Sequence, residues 1–190
     1  MIRCWNLQLA AAVALLASHS DASSKIVLDL SHQSHLKPST LAEAIRDSID
    51  GEVDFVVVDV SFSELGNDGL EEVVSSLQST ENMKVDLTSR MNRLTPSGAS
   101  SLIQGILGSD NKNKDQPELG EEAAVPTHQT THFNTIDLSW NSFHPEEPGA
   151  KRLFTNLRKL VSDPSVCPKL LRLDRCGLGP AACRSLGKVS

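Results

Sequence analysis

The sequence predicts an α/β fold, a short array of strand–helix units stacked in chain order. Three observations predict it. First, five segments repeat one pattern: Leu28-Asp29-Leu30-Ser31, Val58-Asp59-Val60-Ser61, Val85-Asp86-Leu87-Thr88, Ile136-Asp137-Leu138-Ser139 and Leu171-Arg172-Leu173-Asp174. Each sets two aliphatic residues around one charged residue, the alternation of a short strand with one buried face. Second, each motif is followed by a stretch with helical character, and the first four carry apolar residues near the 3.6-residue period. Third, the motifs recur at spacings of 30, 27, 51 and 35 residues, counted between second aliphatics. Recurrence at that scale marks a repeat architecture, in which each unit buries its apolar face against its neighbours.

Taken in order, the first unit supplies Leu41, Ala44, Ile45 and Ile49 as its helical stripe. In the second, Leu70, Val73, Val74 and Leu77 fall at i, i+3, i+4 and i+7. The third offers Leu102, Ile103, Ile106 and Leu107 less strictly, and the fourth Leu153, Phe154, Leu157, Leu160 and Val161. Between strand and helix stands one more apolar residue: Leu36, Leu65, Leu94, Phe143 or Leu178. Pro38, Pro96, Pro148 and Pro180 lie in the same connections. A helix start tolerates proline because its missing N–H would be unpaired there anyway. The spacing of 51 is one unit plus an insertion at 110–132, polar and unperiodic, expected to be a flexible loop. The last unit is expected to be incomplete, since the chain stops at Ser190 shortly into its helix.

Residues 1–22 predict a secretory signal peptide. Arg3 gives the positive end, Leu7 to Ala17 an apolar run broken only by Gln8, and Ser20-Asp21-Ala22 the small residues of a cleavage site. The alternative is an uncleaved anchor or a buried helix. The run is too short for a permanent span, and no later stretch reaches that length, so no membrane span is expected after signal removal. Beyond the signal remain Cys167, Cys176 and Cys183, an odd number that permits at most one internal disulfide. None has CxxC spacing, and neither a metal nor another cofactor is expected.

Among 190 residues, 18 Lys+Arg stand against 24 Asp+Glu, a formal charge of −6. That balance excludes a chain-wide electrostatic grip on nucleic acid. Hydrophobic residues make up 39% of the chain and aromatics 4%, with no Tyr, so the core must be aliphatic. Few platforms remain on which bases could stack.

The second unit, VVVDVSFSELGNDGLEEVVSSLQS, is similar to the pattern LxLDLSxNxLGxxGxxxLxxxL. IDLSWNSF and LLRLDRCGL match the strand and its Asn/Cys position through Asn141 and Cys176. In these features residues 25–190 resemble the leucine-rich repeat, of the ribonuclease-inhibitor-like subclass. The resemblance implies a curved solenoid with strands on its concave face and helices on its convex face. Gln33, Ser63 and Arg90 stand at the Asn/Cys slot of the first three units, so the buried ladder of the family is expected to be incomplete there. The resemblance implies no particular activity, because this repeat carries many functions.

Asp29, Asp59, Asp86 and Asp137 are expected on adjacent strands, about 5 Å apart, facing solvent on the concave side. Like charges in such a row repel by about a few tenths of a kcal/mol per pair. A basic partner or a cation would relieve this; equally, an Asp there keeps an exposed strand face soluble. Trp140 and Arg172 belong to the same surface. A tryptophan there is either an exposed anchor for a partner or packed beneath the insertion. Gly177-Leu178-Gly179-Pro180-Ala181-Ala182 fits a dinucleotide fingerprint superficially, but the chain ends before the acidic residue that motif requires. His128 and His132 have HxxxH spacing within a polar loop and read as solvated side chains, while His32 and His35 sit in the turn after the first strand, where no helical face is expected. No GxSxG elbow or activated cysteine is present, so no enzyme is expected.

The expectation is therefore a secreted or luminal recognition module. It would bind another protein, a basic one being suited to the aspartates, through the concave strand face, without catalysis and without nucleic acid. The alternatives are a regulatory scaffold of the same repeat class inside the cell, or a repeat-based hydrolase.

Overall fold

The computed structural model describes residues 25–49, 53–79, 83–108 and 131–186. The expected signal peptide, residues 110–130 of the insertion and residues 187–190 lie outside them. Five strands, β1 (Lys25–Asp29), β2 (Phe55–Asp59), β3 (Lys84–Thr88), β4 (His132–Asp137) and β5 (Leu170–Arg172), form one all-parallel sheet in the order β1-β2-β3-β4-β5. They alternate with helices α1 (Pro38–Ser48), α2 (Gly66–Gln78), α3 (Pro96–Ile106), α4 (Ala150–Ser162) and α5 (Pro180–Leu186). A strand order that runs one way, with crossovers of one hand, puts every helix on the same face of the sheet. Consecutive helices pack on one another accordingly.

The core lies between these two layers. Leu28, Leu30, Val58, Val60, Leu87, Ile136 and Leu138 enter it from the strand segments. The helical stripes meet them through Leu41, Ile45, Leu70, Val73, Leu77, Ile103, Leu153 and Leu157. Phe133 and Phe143 are the largest side chains fully buried. The other face of the sheet is left to half-buried Val27, Val57, Asp59, Asp86 and Thr88 and to exposed Asp29.

Local chemistry explains the helix starts. Pro38, Pro96 and Pro180 open α1, α3 and α5, where the proline ring costs no hydrogen bond. Thr95 caps α3 by accepting the Gly98 N–H at 3.3 Å. Gly149 precedes α4 at φ 88°, and a Cβ there would stand 2.8 Å from the Ser97 Cα, so glycine is required on both counts. Asn156 of α4 donates to the Ser100 carbonyl and hydroxyl of α3, both at 3.0 Å, which satisfies its buried amide N–H groups.

Two expectations about register are corrected. In the third unit, Leu87 rather than Val85 aligns with Val58, and Thr88 rather than Asp86 aligns with Asp59. The strand motif there is shifted by two residues, which brings Leu94 into the core and the Asn92 side chain to the Ser63 N–H. A bulge at the Val85/Asp86 step of the β3–β4 pairing leaves Asn134 unpaired in the ladder, and its amide donates to the Asp86 carboxylate at 2.9 Å. His132 is not a loop residue: it opens β4, and its N–H donates to the Met83 carbonyl at 2.8 Å.

Candidate functional site

Immediately after the strands the sheet hydrogen bonding continues into a row of tight turns. The N–H of His32 donates to Ser61, that of Phe62 to Arg90, that of Met91 to Ser139 and that of Trp140 to Asp174, at 2.8, 2.9, 3.3 and 2.8 Å. All four donors, together with Arg175, have left-handed backbone, at φ 59°, 60°, 50°, 64° and 54°. Such a conformation is uncommon for a large residue and costs about 1–2 kcal/mol relative to the right-handed region.

A ladder of buried side chains holds these turns. The Asn141 Oδ1 accepts the N–H groups of Asn92 and Leu94 at 3.0 and 3.1 Å. The Asn92 Oδ1 accepts those of Ser63 and Leu65 at 3.2 and 3.3 Å, and the Ser63 hydroxyl accepts that of Gln33 at 3.1 Å. The Asn amides donate inward, Asn92 to the Val60 carbonyl and Asn141 to the Leu138 carbonyl, both at 2.9 Å. Cys176 ends the ladder with its thiol 3.2 Å from the Leu138 carbonyl. Burial pushes this thiol up to about 11, helped by the charges of Asp137 and Asp174 and opposed by the backbone N–H groups of Asn141 and Trp140. The third rung is thus Asn92 and not Arg90. The signal that would have found it is the two-residue step to the core apolar residue, shared by Ser63/Leu65, Asn92/Leu94, Asn141/Phe143 and Cys176/Leu178.

What the turns present outward was mostly missed by the sequence pattern. Phe62, Met91 and Trp140 are 41%, 46% and 47% exposed. His32 stacks on Phe62 with ring centroids 4.7 Å apart and planes 4° from parallel. The Arg175 guanidinium lies 4.3 Å from the centre of the Trp140 ring, within range of a cation–π contact. The row therefore reads His32, Phe62, Met91, Trp140, Arg175 across five successive units. Trp140 is exposed rather than packed away.

The expected row of four solvent-facing aspartates does not exist. The register row is Asp29, Asp59, Thr88, Asp137, Arg172. Asp86 stands one pleat earlier, beside Val57 and Thr135. Asp137 is only 2% exposed. Its Oδ2 takes the Arg90 guanidinium at 2.7–2.8 Å. Burial alone would raise the Asp137 pKa; the Ser139 hydroxyl and N–H, with the Arg90 guanidinium, outweigh it and hold the carboxyl below its ordinary value. The same ion pair raises the Arg90 pKa. Asp29 and Asp59 are adjacent in register at β1 and β2, while at the β5 end exposed Arg172 and Arg175 flank exposed Asp174. Asp29 is held below the usual carboxylate range by the hydroxyl and N–H of Ser31.

Cys167, Cys176 and Cys183 are all free thiols. Among the described residues no cluster of His, Cys, Asp and Glu could hold a metal ion, and no helix is long and apolar enough to cross a membrane. His128 lies outside the described residues. No family model and no curated protein matches the chain.

Proposed function

We propose that the chain is a leucine-rich-repeat solenoid and a secreted or luminal recognition module, binding another protein through its open sheet face without catalysis. One observation carries the proposal: five successive turns hold large side chains outward on left-handed backbone, where glycine would fit without strain. Strain kept at exposed positions is explained when the side chains are themselves needed. Phe62, Met91 and Trp140 offer the apolar anchors typical of a binding hot spot. Asp29 and Asp59 bias the β1–β2 end of the face toward a partner that is basic there. The ladder from Gln33 through Ser63, Asn92, Asn141 and Cys176 supports the repeat assignment. The apolar run Leu7 to Ala17 behind Arg3 supports the secretory address.

A pull-down with the chain beyond residue 22, at two salt concentrations, tests the proposal. The expected partner is captured by the native chain, lost with Trp140→Ala plus Met91→Ala, and weakened by salt with Asp29 and Asp59 intact. A partner retained equally by the doubly substituted chain contradicts it.

A further inference from the structure

On the helical side, opposite the sheet face, the charge is unevenly placed. Helix α4 carries Lys151, Arg152, Arg158 and Lys159, all exposed, and no acidic residue, in a chain whose formal charge is −6. Helix α2 is the reverse, with Asp68, Glu71 and Glu72 and no base. The ion pairs among the described residues join Arg90 to Asp137 and Arg93 to Glu64; the α4 cations take part in neither. Arg152 is held by the Gln104 side-chain oxygen of α3.

Lys151, Arg158 and Lys159 border a cavity of about 750 Å³ between α4 and α5, whose lining includes Pro145, Phe154 and Ala182. Phe154 is only half-buried, although it packs against the core. An apolar lining rimmed by cations that form no ion pair among the described residues differs from an ordinary solvated helix face. It offers both an anchor site and a sign of charge.

We propose that this α4–α5 groove is a second binding site, which takes an acidic segment of a partner protein carrying an apolar side chain between two carboxylates. The geometry fixes the spacing. Lys151 and Lys159 are just over two turns apart, about 12 Å along the axis at 1.5 Å per residue. An extended chain covers that distance in about four residues. The carboxylates meet the cationic rim while the intervening apolar side chain covers Phe154. A nucleic acid fits less well, because the chain as a whole repels a polyanion and the cavity lining is partly apolar.

The test uses the chain with all its units and a fluorescein-labelled peptide in which two glutamates, four positions apart, bracket a leucine. Fluorescence anisotropy is expected to show saturable binding. A loss of at least tenfold is expected with Lys151→Glu plus Lys159→Glu, and again when the peptide glutamates become Gln or its leucine becomes Ser. Thermal melting of the charge-reversed chain checks that these exposed substitutions leave the fold intact. Equal binding by the native and charge-reversed chains overturns the site, as does polyglutamate or a single-stranded oligonucleotide binding as tightly as the peptide. A concentration-dependent dimer abolished by the charge reversal also overturns it, by making the occupant a second copy of the chain. Since the groove and the sheet face lie on opposite sides, failure of either proposal leaves the other standing.

Discussion

Asn141 and Asn92 stand one above the other in the interior of the turns: the side-chain Oδ1 of Asn141 accepts the backbone N–H of Asn92 at 3.0 Å. The two are 49 residues apart in the chain and 3% and 0% exposed. Each asparagine supplies what its neighbouring unit lacks. The turn backbone leaves two N–H groups pointing inward, where water cannot reach them, and one amide oxygen satisfies both.

Asn92→Ala removes the acceptor for the Ser63 and Leu65 N–H groups. At about 1–3 kcal/mol for each of these two buried groups left unpaired, the substitution should cost about 2–6 kcal/mol. The midpoint of chemical denaturation measures it. A loss below about 1 kcal/mol would show that the ladder is not what holds the turns.

Asp137 makes stability depend on acid. Its folded pKa is lowered, so its contribution is fully present above the unfolded value of about 3.9 and is lost as pH falls through the lower, folded value. Melting temperature should therefore hold between about pH 7 and 5 and drop below about pH 4. Asp29 and Asp163, also lowered, share in that drop. The difference between the native chain and Asp137→Asn isolates this one carboxylate. Identical acid limbs in the two would refute its part.

The thiols should separate by reactivity. Cys176 is buried and its pKa stands at about 11, so it is a neutral thiol near pH 7.5, whereas Cys183 is exposed. Alkylation by iodoacetamide, mapped by mass spectrometry, should modify Cys183 in the folded chain and Cys176 only after denaturation. Prompt modification of Cys176 would mean that the β4–β5 end opens readily.

Met91→Gly separates strain from recognition. Glycine relieves the left-handed penalty but loosens the unfolded chain, a net change of about 0 to +1 kcal/mol in stability. A structural role for the methionine predicts a clear loss of stability instead. Thermal melting decides between them, and under the proposed recognition role the substitution should also weaken capture of any protein bound by the native chain.

Much of this was legible in the residues. Alternation in Leu28–Leu30 and Ile136–Leu138 located strands, and Leu70, Val73, Val74 and Leu77 located a helix, because burial on one face imposes a period directly on the sequence. The third unit was misplaced because Val85-Asp86-Leu87-Thr88 imitates the strand motif two residues early. Strand alternation repeats every two residues, so a shift of two preserves the buried face and leaves no hydropathic trace. Asn92 and Leu94 set the true register through the turn. The state of Asp137 was hidden for a related reason: Arg90, 47 residues away, neutralises it across a strand pair. The outward row of Phe62, Met91 and Trp140 carries no period of its own, since exposed positions are free of the packing that creates patterns. Backbone angles and side-chain exposure reveal it, Trp140 alone having stood out in the sequence.

The most direct measurement is selection of a displayed random peptide library on the immobilised chain, with each selected peptide then titrated against the native chain and against Trp140→Ala plus Met91→Ala. If the open sheet face is the recognition surface, selected peptides should combine apolar with Lys or Arg side chains. Their affinity should fall at least tenfold on the doubly substituted chain. Peptides bound equally by both chains would contradict recognition through this face.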